Sequence, residues 1–169
     1  VLPHELNEFL ENYSLGQLQQ FSGISNGIEN TNYFVTTSKG QYVLTIFEQL
    51  TLDDLPYFLE LMAFFSEANI PTAHPIADKQ NEYIRILNDK PAALVKRLNG
   101  VSIDIANVKQ CQEIGIQMAK MHLSSKQFKF SREASRNEDW RIQTSKLVMP
   151  KLNKDEQTLL NQELNYIKT

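Results

Sequence analysis

Alternating apolar and polar residues mark three short segments near the start of the chain. They predict β-strands over residues 15–23, 30–38 and 41–48, because the side chains of a strand point alternately to its two faces. Asn26-Gly27 and Ser38-Lys39-Gly40 lie between these segments, and both contain residues that tolerate the positive φ of tight turns. The pattern therefore predicts an antiparallel meander.

A different spacing, with apolar residues three and four positions apart, predicts helices. It occurs in residues 3–13 and again from Leu55 to Phe65. The second helix follows Thr51-Leu-Asp-Asp54, a capping-box pattern, and Pro71 sets its limit because proline cannot continue a helix.

The rest of the chain changes from strands to helices. A hairpin is predicted over 82–87 and 92–98. Beyond it, helical patterns occur around residues 108–122, 140–147 and 155–167. The order βββ-α-ββ, followed by helices alone, predicts an α+β fold. We place the joint near 98–102, which divides the chain into 1–98 and 99–169.

Charge and composition exclude several classes of protein. The 169 residues carry a net charge of −3 with no basic run, which argues against nucleic acid or an anionic membrane surface as a partner. No apolar stretch is long enough to span a membrane, and the acidic N-terminal residues do not suit a signal peptide. The single cysteine, Cys111, excludes an internal disulfide and is typical of a reducing, cytoplasmic location.

Several ordered motifs together resemble a known family, bacterial homoserine kinase of the aminoglycoside-phosphotransferase-like, protein-kinase-like superfamily. The resemblance covers nearly the whole chain. Its motifs are Asn26-Gly-x-Glu-Asn-Thr-Asn-Tyr-Phe-Val35, Tyr42-Val-Leu-Thr-Ile-Phe-Glu48, Lys90-Pro-Ala-Ala-Leu-Val95, Arg97-Leu-x-Gly100, Ile114-Gly-x-x-Met-Ala-x-Met-His-Leu123 and Glu138-Asp-Trp140.

The resemblance implies a kinase-like small lobe, made of a five-stranded antiparallel sheet and one helix, followed by the first helices of a helical lobe. It also implies ATP-dependent phosphoryl transfer to the hydroxyl of L-homoserine, a step of threonine biosynthesis, with Mg²⁺ as the metal. Phosphoryl transfer depends mainly on positioning and charge neutralisation.

The predicted phosphate-covering loop contains Gly23, Gly27, Asn30 and Asn32. Glycines let the backbone approach anionic oxygens, and asparagine side chains can donate hydrogen bonds to them. The alternative for Asn30 and Asn32 is a structural role, with side-chain bonds to the nearby backbone of a turn.

The third strand and the end of the fifth complete the predicted nucleotide site. Thr45 occupies the position where kinases of the wider superfamily carry a phosphate-binding lysine, so the resemblance leaves that charge unassigned. Lys39 is a candidate, although a solvated turn lysine is the simpler interpretation. By analogy, the Lys96 carbonyl and the Leu98 N–H pair with adenine; the alternative is an ordinary strand end.

Catalytic and metal-binding residues are not predicted within this chain. The superfamily signature His-Gly-Asp-x-x-x-x-Asn is absent from the sequence, and His122 falls on an apolar helix stripe, where a packed side chain is expected. The chain therefore resembles the N-terminal half of a homoserine kinase. We expect it to be inactive alone, with its metal ligands in the other half. We also expect uncovered apolar side chains at Met118, Met121, Trp140 and Leu147, which favour self-association.

Two alternatives remain open at this point. The acceptor of a related small-molecule kinase could be another alcohol, such as choline, methylthioribose or an aminoglycoside. The chain could instead be a non-catalytic module that binds a nucleotide or a protein partner.

Overall fold

The computed structural model describes residues 1–25 and 28–167, so the predicted Asn26-Gly27 turn lies outside the described residues. Helices and strands follow one another in the predicted order. They are α1 (Pro3–Leu10), β1 (Leu18–Ile24), β2 (Asn30–Thr37), β3 (Gly40–Phe47), α2 (Leu55–Glu67), β4 (Arg85–Leu87), β5 (Lys90–Lys96), α3 (Val108–Ser125), α4 (Glu138–Val148), a 3-10 turn (Met149–Lys151) and α5 (Lys154–Ile167).

All five strands form one antiparallel sheet with the order β1-β2-β3-β5-β4, which confirms the predicted α+β architecture. Asn88 and Asp89 join β4 to β5 with φ values of 51° and 62°, the backbone of a type I′ hairpin turn. The first strand begins three residues later than predicted, at Leu18. Gly16 adopts a left-handed φ of 80°, which an extended strand does not accommodate.

One face of the sheet, here called the core face, forms the hydrophobic core with α1. Tyr42, Leu44 and Ile46 alternate along β3 on this face and are buried. They belong to the same cluster as Leu6 and Leu10 of α1. The sequence pattern of α1 therefore serves to cover one side of the meander.

The opposite side of the sheet, here called the open face, is less covered. It is built from the alternate residues of β2, β3 and β5, because residues opposite each other in neighbouring strands share a face. Its members are Asn32, Phe34, Thr36, Gln41, Val43, Thr45, Ala93, Val95 and, just past the end of β5, Arg97. Most of them are half-buried or exposed, whereas Ala93 is fully buried.

A buried ion pair stabilises the loop before β4. The Asp78 carboxylate is inaccessible to solvent and pairs with Arg85. Burial raises the pKa of the Asp78 carboxyl, but the N–H groups of Glu82 and Gln80 and the Arg85 guanidinium together lower that pKa below its usual value. The loop is therefore stabilised by an ionised carboxylate.

By residue contacts the chain divides into Val1–Phe130 and a second unit that begins at Ser131. The predicted division after residue 98 stays a prediction. The expectation that His122 is packed was wrong: its side chain is exposed, because no described element covers that part of α3. Met118, Trp140 and Leu147 are 52%, 43% and 74% exposed, as expected, and Met121 is half-buried. None of the described helices is long and apolar enough to cross a membrane.

Candidate functional site

Two neighbouring rows of side chains cross the open face. In the polar row, Asn32 of β2 lies opposite Thr45 of β3, which lies opposite Ala93 of β5. In the apolar row, Phe34, Val43 and Val95 are paired in the same way. The rows are two residues apart along each strand, a separation of about 7 Å. A ligand on this face therefore meets apolar side chains at one end and hydrogen-bonding groups at the other.

The polar row contains a hydrogen bond between two of the predicted site residues. The Thr45 hydroxyl donates to Oδ1 of Asn32 over 2.8 Å, and both side chains are half-buried. Within residues 1–25 and 28–167, the one hydrogen bond from Nδ2 of Asn32 is long, 3.4 Å, and goes to the carbonyl of Asn30. Since an amide nitrogen has two hydrogens to donate, one donor of Asn32 remains for a ligand. Thr45 thus fixes the orientation of the Asn32 side-chain amide.

The other predicted loop residues are placed differently. Asn30 begins β2 beside this row, whereas Gly23 lies in β1 opposite Tyr33, which shares the core face with Val35. A Cβ added at Gly23 would come no closer than 4.0 Å to Tyr33, so the described structure does not demand glycine there. Gly27 lies outside the described residues. The phosphate roles of Gly23 and Gly27 stay predictions.

Lys96 and Leu98, the predicted adenine contacts, lie where β5 ends. The Lys96 N–H donates to the His74 carbonyl over 2.9 Å, while the next residue, Arg97, donates its N–H to Gln41 over 3.1 Å. Within the described residues the Leu98 N–H has no backbone partner. A cavity of about 410 Å³ adjoins both residues, and the bridge between Pro75 and Val95 fixes the strand immediately before Lys96. This strand end is therefore held in place and accessible.

Arg97 is a site residue to which the sequence motifs assign no role. Its guanidinium carbon lies 4.1 Å from the centre of the Phe34 ring. The alternation along β5 was the available signal, because it puts Arg97 on the same face as Val95 and Ala93. The guanidinium adds a positive charge to the apolar row.

The nearby lysines have other partners. Nζ of Lys39 donates to the Ser14 carbonyl over 3.0 Å, which supports a structural role in the turn. Lys90 pairs with Glu48, and the hydrogen bonds from Lys90 and Thr31 lower the pKa of the Glu48 carboxyl. Among residues 1–25 and 28–167, no group of three or more histidines, cysteines or carboxylates could hold a metal ion.

Known proteins similar to this chain include bacterial homoserine kinases. The homoserine kinase of Methylobacillus flagellatus is 40% identical over 165 residues, which covers 98% of this chain and 52% of the relative. That of Neisseria meningitidis serogroup B is 38% identical over 168 residues, covering 99% and 55%. The chain thus spans about half the length of the curated relatives it matches.

Solved structures share the same fold. An amicoumacin kinase in complex with AMP-PNP, Ca²⁺ and amicoumacin superposes with a TM-score of 0.72 at 16% identity, covering 98% of this chain and 52% of the other. A spectinomycin phosphotransferase in complex with ADP and spectinomycin gives 0.62 at 12% identity, covering 96% and 53%. Residues 20–168 match the model of the phosphotransferase enzyme family. The chain therefore belongs to the phosphotransferase enzyme family and has an α+β, kinase-like fold.

Proposed function

We propose that this chain is the nucleotide-binding part of an ATP-dependent homoserine kinase. The observation that carries the proposal is the identity of 40% to a homoserine kinase over 98% of the chain, on a fold shared with small-molecule kinases. The reaction transfers the γ-phosphoryl group of ATP to the hydroxyl of L-homoserine. It belongs to threonine biosynthesis, and the enzyme acts in the cytoplasm.

In this proposal the open face and the end of β5 receive the nucleotide. The Lys96 carbonyl and the Leu98 N–H pair with the edge of adenine. The apolar row of Phe34, Val43 and Val95 provides the flat surface against which a base packs.

The phosphates lie over the polar row and the turn between β1 and β2. Asn32, held by Thr45, donates its free amide hydrogen to a phosphate oxygen, and Asn30 adds a second amide. In this proposal the backbone N–H groups of Gly23 and Gly27 are further phosphate contacts. These neutral donors orient the phosphates, because positioning is the main requirement for phosphoryl transfer.

Mg²⁺ is not assigned a ligand in the described residues, since no suitable cluster occurs in them. We propose that Mg²⁺ arrives with ATP and that its protein ligands, the general base and the acceptor site belong to sequence outside this chain. The role of this chain is therefore to bind and orient the nucleotide. By itself it transfers no phosphoryl group.

An activity assay tests the proposal directly. The longest reading frame that contains these residues is expressed, and ADP release is measured with Mg·ATP and each candidate alcohol in turn. We expect release with L-homoserine to exceed that with choline, methylthioribose or an aminoglycoside, and ³¹P NMR to show a new phosphate ester. Release with another alcohol alone would reassign the substrate, and ATP binding without turnover would favour a non-catalytic module.

A further inference from the structure

Arg97 brings a planar cation onto a face that is otherwise uncharged. Among the described residues of the open face, Arg97 is the only lysine or arginine. Its side chain reaches from the end of β5 to β2, where the guanidinium lies above Phe34. The Arg97 N–H bonded to Gln41 fixes the backbone from which the side chain starts. The contact between Arg97 and Phe34 therefore joins two strands of the sheet, with the backbone of Arg97 held by a hydrogen bond.

The position of Arg97 relative to the other site residues is informative. It lies between Lys96 and Leu98, the residues whose backbone groups we propose for adenine. Phe34, under the guanidinium, belongs to the apolar row, about 7 Å along the strand from Asn32 in the polar row. A nucleotide that places its base on the apolar row therefore places that base beside the Arg97 guanidinium.

A guanidinium stacked on one ring can still stack with another. It is planar, it is more weakly hydrated than an ammonium group, and it packs readily on aromatic faces. Arg97 is exposed, so the surface of the guanidinium that faces away from Phe34 is accessible. That surface has the shape and charge to receive a nucleotide base.

We propose that Arg97 is a positioning residue for the nucleotide. The part of the base that lies above Phe34 stacks on the outer surface of the Arg97 guanidinium, and the positive charge of that group attracts the phosphates over the neighbouring polar row. This inference rests on the proposed nucleotide function. It goes beyond that function by assigning a role to the Arg97 side chain. Replacing this side chain should change binding of the base and binding of the phosphates to different extents.

Calorimetry on the 169-residue chain tests this inference with two ligands, ATP and inorganic tripolyphosphate, which lacks a base. Arg97→Lys keeps the charge but loses the planar surface, so we expect ATP affinity to fall about tenfold while tripolyphosphate affinity is unchanged. Arg97→Met loses the charge and the planar surface, so it should lower the affinity for ATP and for tripolyphosphate. Lys39→Ala, which removes one charge from the β2–β3 turn, should change neither. Unchanged melting temperatures establish that each variant is folded.

A second variant tests the stack itself. Phe34→Leu removes the ring beneath the guanidinium, so Arg97→Lys should have little further effect on ATP affinity when it is combined with Phe34→Leu. Equal or tighter ATP binding by Arg97→Lys would overturn the inference, because Arg97 would then be a bystander or would occupy the space of the base. Absence of ATP binding by the unmodified chain would instead refute the nucleotide function on which the inference rests.

Discussion

Replacing Thr45 with valine removes one hydroxyl from the open face and keeps a β-branched side chain suited to a strand. The hydroxyl donates to Oδ1 of Asn32 over 2.8 Å between two half-buried side chains. A hydrogen bond of this kind contributes about 1 kcal/mol of net stability, which is about a fivefold change in an equilibrium constant. We expect Thr45→Val to lower the free energy of unfolding by this amount.

A double-mutant cycle separates this bond from other effects of the substitution. Asn32→Ala removes the acceptor of this hydrogen bond, so in that background Thr45→Val should leave the free energy of unfolding almost unchanged. The coupling energy between the two positions is then also about 1 kcal/mol. Urea unfolding of the four proteins measures it, and Thr45→Ser, which keeps the hydroxyl, is the matched control.

The same cycle applies to nucleotide binding. Without the Thr45 hydroxyl the Asn32 amide is free to rotate, so we expect ATP affinity to fall up to about fivefold in the presence of Asn32 and to stay constant in its absence. Calorimetric titration gives both values. Additive effects of the two substitutions would refute the reasoning, because additivity means that Thr45 does not act through Asn32.

The remaining predictions concern stability and association. Asp78→Ala should lower the free energy of unfolding by about 3 kcal/mol, because it leaves the Arg85 guanidinium without its charged partner. The folded-state pKa of Asp78 is lowered, so its contribution to stability is present above the ordinary carboxyl pKa near 4 and is lost as the pH falls below that value. Urea unfolding from pH 7 to 3 should show this loss of stability for the unmodified chain and a smaller loss for Asp78→Ala. Leu44 is fully buried on the core face, so Leu44→Ala should lower the free energy of unfolding by about 3 kcal/mol, measured by urea unfolding. Met118 and Leu147 are 52% and 74% exposed, so sedimentation should show association that rises with concentration and weakens in Met118→Lys; a strictly monomeric species would contradict this.

Local patterns predicted the three strands of the meander, because alternation along a strand is determined by neighbouring residues. The pairing of Asn32 with Thr45 could not be predicted in the same way, since it depends on the register between β2 and β3. The sequence motifs indicate both residues as separate nucleotide contacts and not as a hydrogen-bonded pair.

Two other features depend on tertiary contacts. The Asp78–Arg85 pair joins residues seven positions apart in an irregular loop, where no periodic pattern exists to indicate a contact. The exposed side chain of His122 contradicts the prediction for a different reason. An apolar helix stripe indicates that something packs against it, but the stripe alone does not identify the residues that do so.

Chemical-shift mapping of ATP binding tests the central claim that the open face and the end of β5 form the nucleotide site. The backbone amides of the 169-residue chain are recorded by two-dimensional ¹H–¹⁵N NMR during titration with ATP. We predict that the largest shifts occur at Asn32, Phe34, Val43, Thr45 and residues 95–98, with little change in α1, which covers the core face. Shifts concentrated in α1, or no shifts at saturating ATP, would contradict the account.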